Sequence, residues 1–397
     1  MSITNELNQI KNAIYGKEVR GAIHDAIKEC YDEASVNHDN ANMEVKMARG
    51  THATLSDRLN KADEDQLQTN AQLSFVAQDI YSKLHSSDMF LPQKRGVDMQ
   101  MGGFFTNDML KATLLKLKEM AISDICLCPY LGTDDTTSSN INRVSTLNEI
   151  EDILSFANNN DIPIKCVKVH FSKASSLNPI DVDAFLNNYQ SILLETLNVC
   201  VAYGVEYYGV ANELSKITNK CYEKWRQIID SLKNQGVKVF TSCTYDEKDT
   251  SVILGLVDII GVNFYPNLSD KGTDATVKEC QMNLYGKSYI RALRELKEKY
   301  RKPLWLTELG CVRSSQALSQ PSNSNLETDE EGNRVQGVFF ESLLPIIGSS
   351  LYNDNALIDG VFIWNCSNIN PPDKFNFIGN IFAEPTILKY YSMKGDK

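Results

Sequence analysis

The sequence predicts an α/β fold in which eight parallel strands alternate with helices and close into a barrel. From about residue 97 onwards, short apolar runs alternate with stretches of amphipathic helical periodicity. Such alternation indicates parallel pairing with right-handed crossovers. Eight units within about 300 residues fit a closed (β/α)8 barrel of the TIM type better than an open doubly wound sheet.

The elements of the predicted barrel follow one another along residues 91–397. The eight apolar runs cover residues 97–104, 124–129, 164–171, 207–211, 237–244, 259–265, 304–309 and 360–364. The helical patterns between them cover residues 110–120, 147–158, 182–203, 222–234, 288–300 and 336–347. An open dinucleotide-binding sheet would carry a GxGxxG loop after its first strand, and the MGGF run at 101–104 lacks that spacing.

Composition excludes several functional classes. The net charge of −11 argues against general nucleic-acid binding, and the absence of a polybasic stretch argues against an anionic-membrane anchor. No apolar run reaches the ~20 residues of a membrane span, so we expect no membrane insertion. The N-terminal residues lack the basic and apolar regions of a secretory signal, so we expect synthesis in the cytoplasm of the producing cell without a signal peptide.

The cysteines and histidines predict neither a metal nor a cofactor. Ten cysteines show no metal-site spacing, and Cys126 and Cys128 are separated by one residue within an apolar run. Five scattered histidines form no paired motif. Buried, reduced thiols are therefore the expected state of most of the cysteines.

Residues 1–90 differ from the rest and predict a helical segment that oligomerises. One narrow apolar stripe recurs at helical spacing and consists of Val19, Ala22, Ile23, Ala26, Ile27 and Cys30. After Gly50, a second helical run places Leu55, Leu59 and Ala62 on one face. Helices this polar do not build a core alone, so the stripe should face a partner, which could be another copy of the chain. The alternatives are a solvated leader or helices that lie on the barrel.

Two short segments of this region carry a first resemblance. The run NAIYGKEVRGAIHDAI at residues 12–27 resembles the opening of many bacteriophage tail and baseplate proteins. The run ARGTHATLSDRL at residues 48–59 is similar to a segment that commonly follows it. The resemblance implies attachment to a virion, with other tail or baseplate proteins as partners and a homo-oligomer, most often a trimer. It implies nothing about chemistry.

Two carboxylates stand at the ends of apolar runs where a barrel has its active site. Strand four continues into Asn212 and Glu213, and strand seven contains Thr307 and Glu308. Active sites of such barrels lie at the C-terminal ends of the strands. A lone buried carboxylate is costly, so neither is expected there without a partner or a function.

This pair predicts glycoside hydrolysis. Strands four and seven lie on roughly opposite sides of an eight-stranded barrel, so Glu213 and Glu308 can face each other across its mouth. Hydrolysis of a glycoside uses two facing carboxyl groups, and their separation, ~5–5.5 Å for retention or ~6.5–9.5 Å for inversion, decides the stereochemistry. The alternative reading of Glu213 is a carboxylate that stabilises a helix N-terminus.

Other strand ends carry residues suited to a sugar. Strand six ends with Asn263 and Tyr265, and the phenol could hydrogen-bond a neighbouring nucleophile. Strand three ends with Lys168 and His170, which offer donors to sugar hydroxyls, and strand eight ends with Trp364, whose indole could support a pyranose ring. Singly, each aromatic residue could be a core cap and His170 a structural histidine. Together, at one face of one barrel, they indicate a site.

These strand ends also carry a second resemblance, to clan A glycoside hydrolases. The runs KPLWLTELGCVRS at residues 302–314 and GVFIW at residues 360–364 are most similar to the endo-β-mannanase-like family. The resemblance implies a retaining enzyme with Glu213 as acid/base and Glu308 as nucleophile. It also implies that Asn212 binds the sugar 2-hydroxyl, Tyr265 orients Glu308 and Trp364 floors the −1 subsite, with His170 as a further site residue.

One departure from the clan pattern affects the nucleophile. Strand two ends in CLCPY at residues 126–130, where many clan members place an arginine beside the nucleophile. The main hypothesis is a virion-associated glycosidase that cleaves a bacterial surface polysaccharide. The departure favours an alternative, a barrel that binds carbohydrate as a receptor without turnover. A third hypothesis is a free cellular glycosidase that the N-terminal helices oligomerise.

Overall fold

The computed structural model describes the barrel almost completely and the N-terminal region in part. The described residues are 21, 23–30, 48, 50–51, 56–66, 69 and 92–393, without 123, 163, 246–249, 353–354 and 371. The chain divides into two compact units, Met1–Asn70 and Ala71–Lys397. The predicted boundary between residues 90 and 91 lies outside the described residues and stays a prediction.

Within the first unit, the described residues are helical at 23–30 and 56–66. Ala26 is buried, whereas the neighbouring stripe residues Ile23 and Ile27 are 42% and 65% exposed. Cys30 is exposed as well, and Val19 and Ala22 lie outside the described residues. Most of segment 12–27 and five residues of segment 48–59 also lie outside them. Oligomerisation through this region therefore stays a prediction.

Eight parallel strands of the second unit form a closed barrel, which confirms the predicted fold of this region. Each strand pairs with its neighbours in chain order and the first pairs with the eighth. The strands are β1 (Lys94–Gln100), β2 (Asp124–Cys128), β3 (Ile164–Lys168), β4 (Tyr207–Asn212), β5 (Lys238–Thr244), β6 (Ile260–Phe264), β7 (Leu304–Leu309) and β8 (Gly360–Ile363).

Helices surround this barrel, and each buries apolar residues in the common core. They are α1 (Asn107–Glu119), α2 (Leu147–Asn159), α3 (Val182–Ala202), α4 (Tyr222–Lys233), α5 (Val277–Gly286), α6 (Tyr289–Tyr300), α7 (Glu330–Ser349) and α8 (Ala383–Ser392). In α2, Ile150, Ile153, Leu154 and Ala157 are buried at helical spacing. Helix α2 begins with a reciprocal capping box between Thr146 and Glu149, which satisfies two backbone N–H groups.

The structure corrects several predicted boundaries. The first strand was predicted as 97–104 but ends at Gln100, because Gly102 and Gly103 have positive φ and form a turn closed by a Phe105 N–H to Gly102 O bond. Helix α7 begins at Glu330 instead of residue 336, because the Asp329 side chain caps it by accepting from Gly332 N. Helices α5 and α8 were not predicted.

A small additional sheet lies beyond the C-terminal ends of β2 and β3. Its central strand, Tyr130–Thr133, pairs with Ile141–Arg143 on one side and with His170–Phe171 on the other. The predicted third strand, 164–171, is therefore two strands, one in the barrel and one in this sheet. The pairing places Tyr130 beside His170 at the mouth of the barrel.

The opposite end of the barrel is closed by aromatic packing around Trp305. The indole packs against Tyr207, Phe240 and Phe362 at centroid distances of 5.0, 5.6 and 5.4 Å. Core side chains thus fill the barrel interior at this end, whereas the buried charged residues Asp98, Lys168 and Glu308 lie towards the other end. Among the described helices, none combines the length and the apolar character that a membrane span requires.

Candidate active site

The two predicted catalytic carboxylates lie at the C-terminal ends of β4 and β7. Glu308 lies within β7 and is 4% exposed, and Glu213 directly follows β4 and is half-buried. Asn263 of β6 donates through Nδ2 to Glu213 Oε1 across 2.9 Å. Thr307, the neighbour of Glu308, donates to Oδ1 of the same asparagine across 3.0 Å. One amide side chain therefore connects the two strand ends.

Both oxygens of the Glu308 carboxylate are held. Lys168 Nζ lies 2.9 Å from Oε1, and the Tyr265 phenol donates to Oε2 across 2.8 Å. His170 Nε2 lies 3.7 Å from Oε1, an ion-pair distance when the imidazole is protonated. The carboxylate is thus fixed in orientation by groups from β3 and from the residue that follows β6.

Lys168 is a buried cation at the centre of the site. Its side chain is 1% exposed, and its ammonium donates to Asp98 Oδ2 at 3.0 Å, Thr307 O at 2.7 Å and Glu308 Oε1 at 2.9 Å. These three acceptors use the three N–H groups of an ammonium. The geometry therefore differs from the sequence prediction: Lys168 contacts the nucleophile candidate instead of offering donors to sugar hydroxyls.

The charges of this cluster shift the pKa values of its members. Burial raises the pKa of Glu308, but the Lys168 charge and the contacts with His170 outweigh burial and lower it to about 2. Burial raises the pKa of Asp98, and the negative charge of Glu308 raises it further. The positive charge of Lys168 lowers it, and the resulting pKa is about 7. Burial lowers the pKa of Lys168, but the charges of Asp98 and Glu308 raise it well above its usual range. Glu308 is therefore the carboxylate that stays ionised.

Asn212, predicted to bind the sugar 2-hydroxyl, has an unused donor. Its Oδ1 accepts from Asn263 Nδ2 across 3.2 Å, which fixes the orientation of the amide. Asn212 is only 1% exposed, and its buried Nδ2 has no hydrogen-bond partner among the described residues. A buried donor without a partner is costly, so a ligand hydroxyl would gain a ready contact there.

Three aromatic rings form a stack at the mouth. His170 stacks on Trp364 at a centroid distance of 5.2 Å and on Tyr130 at 5.6 Å. Lys168 Nζ lies 5.4 Å from the centroid of the Trp364 ring. The peptide bond between Trp364 and Asn365 is cis. The structure therefore brings Trp364 and His170 together with Glu308, as the sequence predicted by their places at strand ends.

Two glycines make room for the cluster. A Cβ on Gly209 of β4 would lie 2.5 Å from Lys168 Cβ, and a Cβ on Gly310 would lie 3.1 Å from Tyr265 Cε1. Glu213 itself has a positive φ of 53°, a conformation that non-glycine residues rarely adopt and that concentrates at functional sites. The backbone is thus shaped around Lys168, Tyr265 and Glu213.

Asp98, Cys126 and Cys128 are a further buried group below the carboxylates. Their ligand atoms lie within 4.8 Å of one another, the one such group of potential metal ligands found in the described part of the chain. The Lys168 ammonium, 3.0 Å from Asp98, already compensates the charge of that carboxylate. Burial raises the pKa of both thiols well above the usual range, which favours neutral sulfur.

Sequence reasoning missed two members of the site. Asp98 is a buried carboxylate inside the apolar run of β1. Because burying a charge is costly, its position in the sequence already indicated a functional or paired residue. Tyr130 follows Pro129 directly after β2, but its contact with His170 depends on the extra sheet, which the sequence did not predict. The site residues that the sequence did predict lie at or just beyond the C-terminal ends of the barrel strands.

The comparison with protein families decides the class of this site. The model of glycoside hydrolase family 113 matches residues 98–372, more than half of the chain. The chain belongs to glycoside hydrolase family 113. The prediction of a glycoside hydrolase is therefore confirmed, as is the resemblance to the endo-β-mannanase-like members of clan A.

Solved structures of family 113 share the fold. A GH113 β-1,4-mannanase in a complex superimposes with a TM-score of 0.61 at 15% identity, over 77% of this chain and 100% of that one. The GH113 β-mannanase AaManA from Alicyclobacillus acidocaldarius in complex with ManMIm gives 0.61 at 16% identity, over 76% and 98%. No curated protein sequence matches the chain. The resemblance of residues 12–27 and 48–59 to tail and baseplate proteins is not tested by these comparisons.

Proposed function

We propose that this family 113 hydrolase is a retaining enzyme with Glu308 as nucleophile and Glu213 as acid/base. The observation that carries this assignment is the environment of Glu308. A buried ammonium and a phenol hold its carboxylate, and the cation favours the ionised form that attack needs. Glu213, which follows β4 and accepts from Asn263, is the second carboxyl group and takes the role of acid/base.

The reaction then runs in two steps. In the first, Glu213 donates its proton to the glycosidic oxygen as Glu308 attacks the anomeric carbon, which breaks the glycosidic bond and forms a glycosyl ester. In the second, Glu213 takes a proton from water, the water oxygen bonds to the anomeric carbon and the ester bond breaks. Tyr265 keeps the Glu308 carboxylate aligned, and Asn212 offers its free donor to the 2-hydroxyl.

For the substrate we propose a β-linked polysaccharide of a bacterial surface. Of the solved family 113 structures that share this fold, one is described as a β-1,4-mannanase and another as a β-mannanase, so β-1,4-mannan is the first polymer to test. Trp364 and its neighbouring rings offer the apolar surface that a pyranose ring packs against. Purified envelope glycans of candidate host bacteria form the second panel.

For the biological setting we propose that residues 1–90 attach the enzyme to a phage tail or baseplate as a homo-oligomer, with a trimer favoured. The support is the resemblance of residues 12–27 and 48–59 to such proteins, together with the apolar stripe. Display of several barrels on one particle would add avidity for a repetitive glycan. Light scattering of the full chain and of a 91–397 fragment tests this: a trimer that becomes a monomer supports it, and two monomers contradict it.

The alternative function, a carbohydrate-binding barrel without turnover, rested on the missing arginine of strand two. Lys168 from β3 provides a cation 2.9 Å from Glu308, which removes that argument. A free cellular glycosidase, the third candidate, would share the site chemistry and differ only in the absence of tail proteins as partners. Co-purification of the chain with virions separates these two settings.

Release of reducing ends from β-1,4-mannan and from envelope glycans tests the catalytic assignment. We expect Glu213→Gln and Glu308→Ala to lose activity by ~10²-fold or more while glycan binding persists. Glu295→Gln, a change at an exposed glutamate of α6, is the matched control and should retain activity. Full activity of either active-site variant would contradict the assignment, and binding without turnover by the wild type would favour the non-catalytic alternative.

A further inference from the structure

We propose that Asp98 is a positioning residue for the nucleophile, acting through Lys168 without touching the sugar. The inference rests on the proposed function, in which Glu308 attacks the anomeric carbon. Asp98 lies on β1 and is not one of the two catalytic carboxylates, Glu213 and Glu308. The chain of contacts runs from Asp98 to Lys168 and from Lys168 to Glu308.

Lys168 forms ion pairs with two carboxylates, those of Asp98 and Glu308. Its Nζ lies 3.0 Å from Asp98 Oδ2 and 2.9 Å from Glu308 Oε1, on strands β1 and β7. Asp98 is fully buried, so its position is set by the barrel wall and not by solvent. A lysine side chain has four rotatable bonds, and a fixed acceptor on each side limits where its ammonium can lie. Asp98 thereby fixes the point from which the cation acts on Glu308.

Asp98 also affects the charge that Glu308 experiences. The single ammonium of Lys168 pairs with both carboxylates, and charges separated by a few ångströms in a buried site interact strongly. In its ionised form, Asp98 draws part of the Lys168 charge away from Glu308, so the nucleophile is ionised without being fully neutralised. With a neutral residue at 98, the ammonium would pair with Glu308 alone and weaken it as a nucleophile.

The residues around Asp98 explain why the cation comes from β3. On β2, the thiols of Cys126 and Cys128 lie within 4.8 Å of the Asp98 carboxylate, so the neighbouring strand provides no cation there. Gly209 on β4 leaves the space that the Lys168 side chain fills. Asp98 Oδ1 has no hydrogen-bond partner among the described residues, so the hydrogen bond from Lys168 engages the other oxygen alone. Lys168 and Asp98 thus form one unit that replaces an arginine on strand two.

The test measures attack by Glu308 with little contribution from the acid. A 2-deoxy-2-fluoro-β-mannobiosyl fluoride loses fluoride as the carboxylate bonds to the anomeric carbon, and fluoride leaves without protonation. Mass spectrometry of the intact protein then gives the rate of ester formation. We expect Asp98→Asn, which keeps the shape and removes the charge, to slow labelling on the order of 10- to 100-fold. In turnover of mannan, kcat should fall and KM should stay unchanged, because Asp98 does not contact substrate.

A double-mutant cycle separates positioning from a merely structural role. If Asp98 acts through Lys168, Lys168→Met and the double variant Asp98→Asn/Lys168→Met should label at the same rate. The matched control is Asp359→Asn, which alters the Lys297–Asp359 pair at the other end of the barrel and should leave labelling unchanged. Asp98→Ser serves as a second variant if the asparagine variant does not fold.

The outcomes distinguish this inference from the function on which it rests. Labelling of wild type and Asp98→Asn at equal rates overturns the role of Asp98 and leaves Glu308 as nucleophile. Additive effects of the Asp98 and Lys168 changes also overturn it, because Asp98 would then act by another route. Labelling of the wild type at a residue other than Glu308, or no labelling of a wild type that hydrolyses β-1,4-mannan, overturns the proposed function and this inference with it.

Discussion

Lys168 Nζ lies 2.9 Å from Glu308 Oε1, so the cation beside the nucleophile candidate comes from the third strand of the barrel. The resemblance to clan A glycoside hydrolases led us to expect this cation as an arginine from the second strand, where this chain has Cys126 and Cys128. A lysine is a point charge without the fork of a guanidinium, so it holds one carboxylate oxygen and leaves the other to Tyr265. Each oxygen of the Glu308 carboxylate is thus held by a donor from a different part of the barrel.

Replacing Lys168 should change how stability depends on pH. The folded-state pKa of Glu308 is about 2 against an ordinary 4.5, so its stabilising contribution is present above pH 4.5 and is lost as pH falls towards 2. Lys168→Met removes the cation that lowers this pKa and should cost about 3–5 kcal/mol near neutral pH. The gap in unfolding free energy between wild type and variant should narrow from pH 4.5 to 2. Lys238→Met, at an exposed lysine, is the control, and a constant gap would refute the prediction.

Removal of the Tyr265 hydroxyl should slow the reaction more than it weakens binding. The phenol donates to Glu308 Oε2 across 2.8 Å, and a hydrogen bond to a charged group contributes about 1.5–3 kcal/mol. Tyr265→Phe should therefore lower kcat roughly 10- to 150-fold, the rate equivalent of that energy. Tyr289→Phe, at a tyrosine outside the Glu308 contacts, is the comparison. An unchanged kcat would mean that Tyr265 does not align the nucleophile.

Asn212 should recognise the hydroxyl next to the anomeric carbon. Its Nδ2 is buried without a partner among the described residues, so a substrate hydroxyl would satisfy it. Asn212→Ala should lower kcat/KM for an aryl β-mannoside by about 10-fold or more, the scale of one buried hydrogen bond. The same change should have little effect on the corresponding 2-deoxy glycoside. Equal losses on both substrates would show that the contact lies elsewhere.

Gly209 should be essential for the placement of Lys168. A Cβ at this position would lie 2.5 Å from Lys168 Cβ and 3.0 Å from Phe240 Cζ, so Gly209→Ala must displace the lysine or the ring. Overpacking of this kind costs about 1–3 kcal/mol, and we expect lower activity as well as a lower Tm. Gly255→Ala is the matched control, because a Cβ there meets nothing within 4 Å. Unchanged activity in Gly209→Ala would show that the position of Lys168 is not critical.

The barrel and its strand ends were predictable because they follow from local patterns. Apolar runs of strand length and helices with one apolar stripe repeat often enough to specify the fold. The positions of Glu213 and Glu308 at strand ends were visible in the same patterns. Their role as a pair followed from the rule that barrel active sites lie at one end.

The contacts within the site were less predictable, because they depend on distances across the barrel. Lys168 was assigned to sugar hydroxyls, since nothing in its neighbouring sequence indicates the Asp98 carboxylate 70 positions away. Asp98 itself could have been singled out as a charge within an apolar strand. Tyr130 reaches His170 through a short sheet of only a few residues per strand, which carries too little periodicity to predict.

The identity of the residue that carries a trapped glycosyl group tests the central assignment most directly. The wild-type chain would be treated with 2-deoxy-2-fluoro-β-mannobiosyl fluoride, digested, and its peptides mapped by tandem mass spectrometry. We expect one glycosyl ester on Glu308, in the peptide that contains Thr307 and Gly310. A label on Glu213, or release of an inverted first product with no trapped ester, would contradict it.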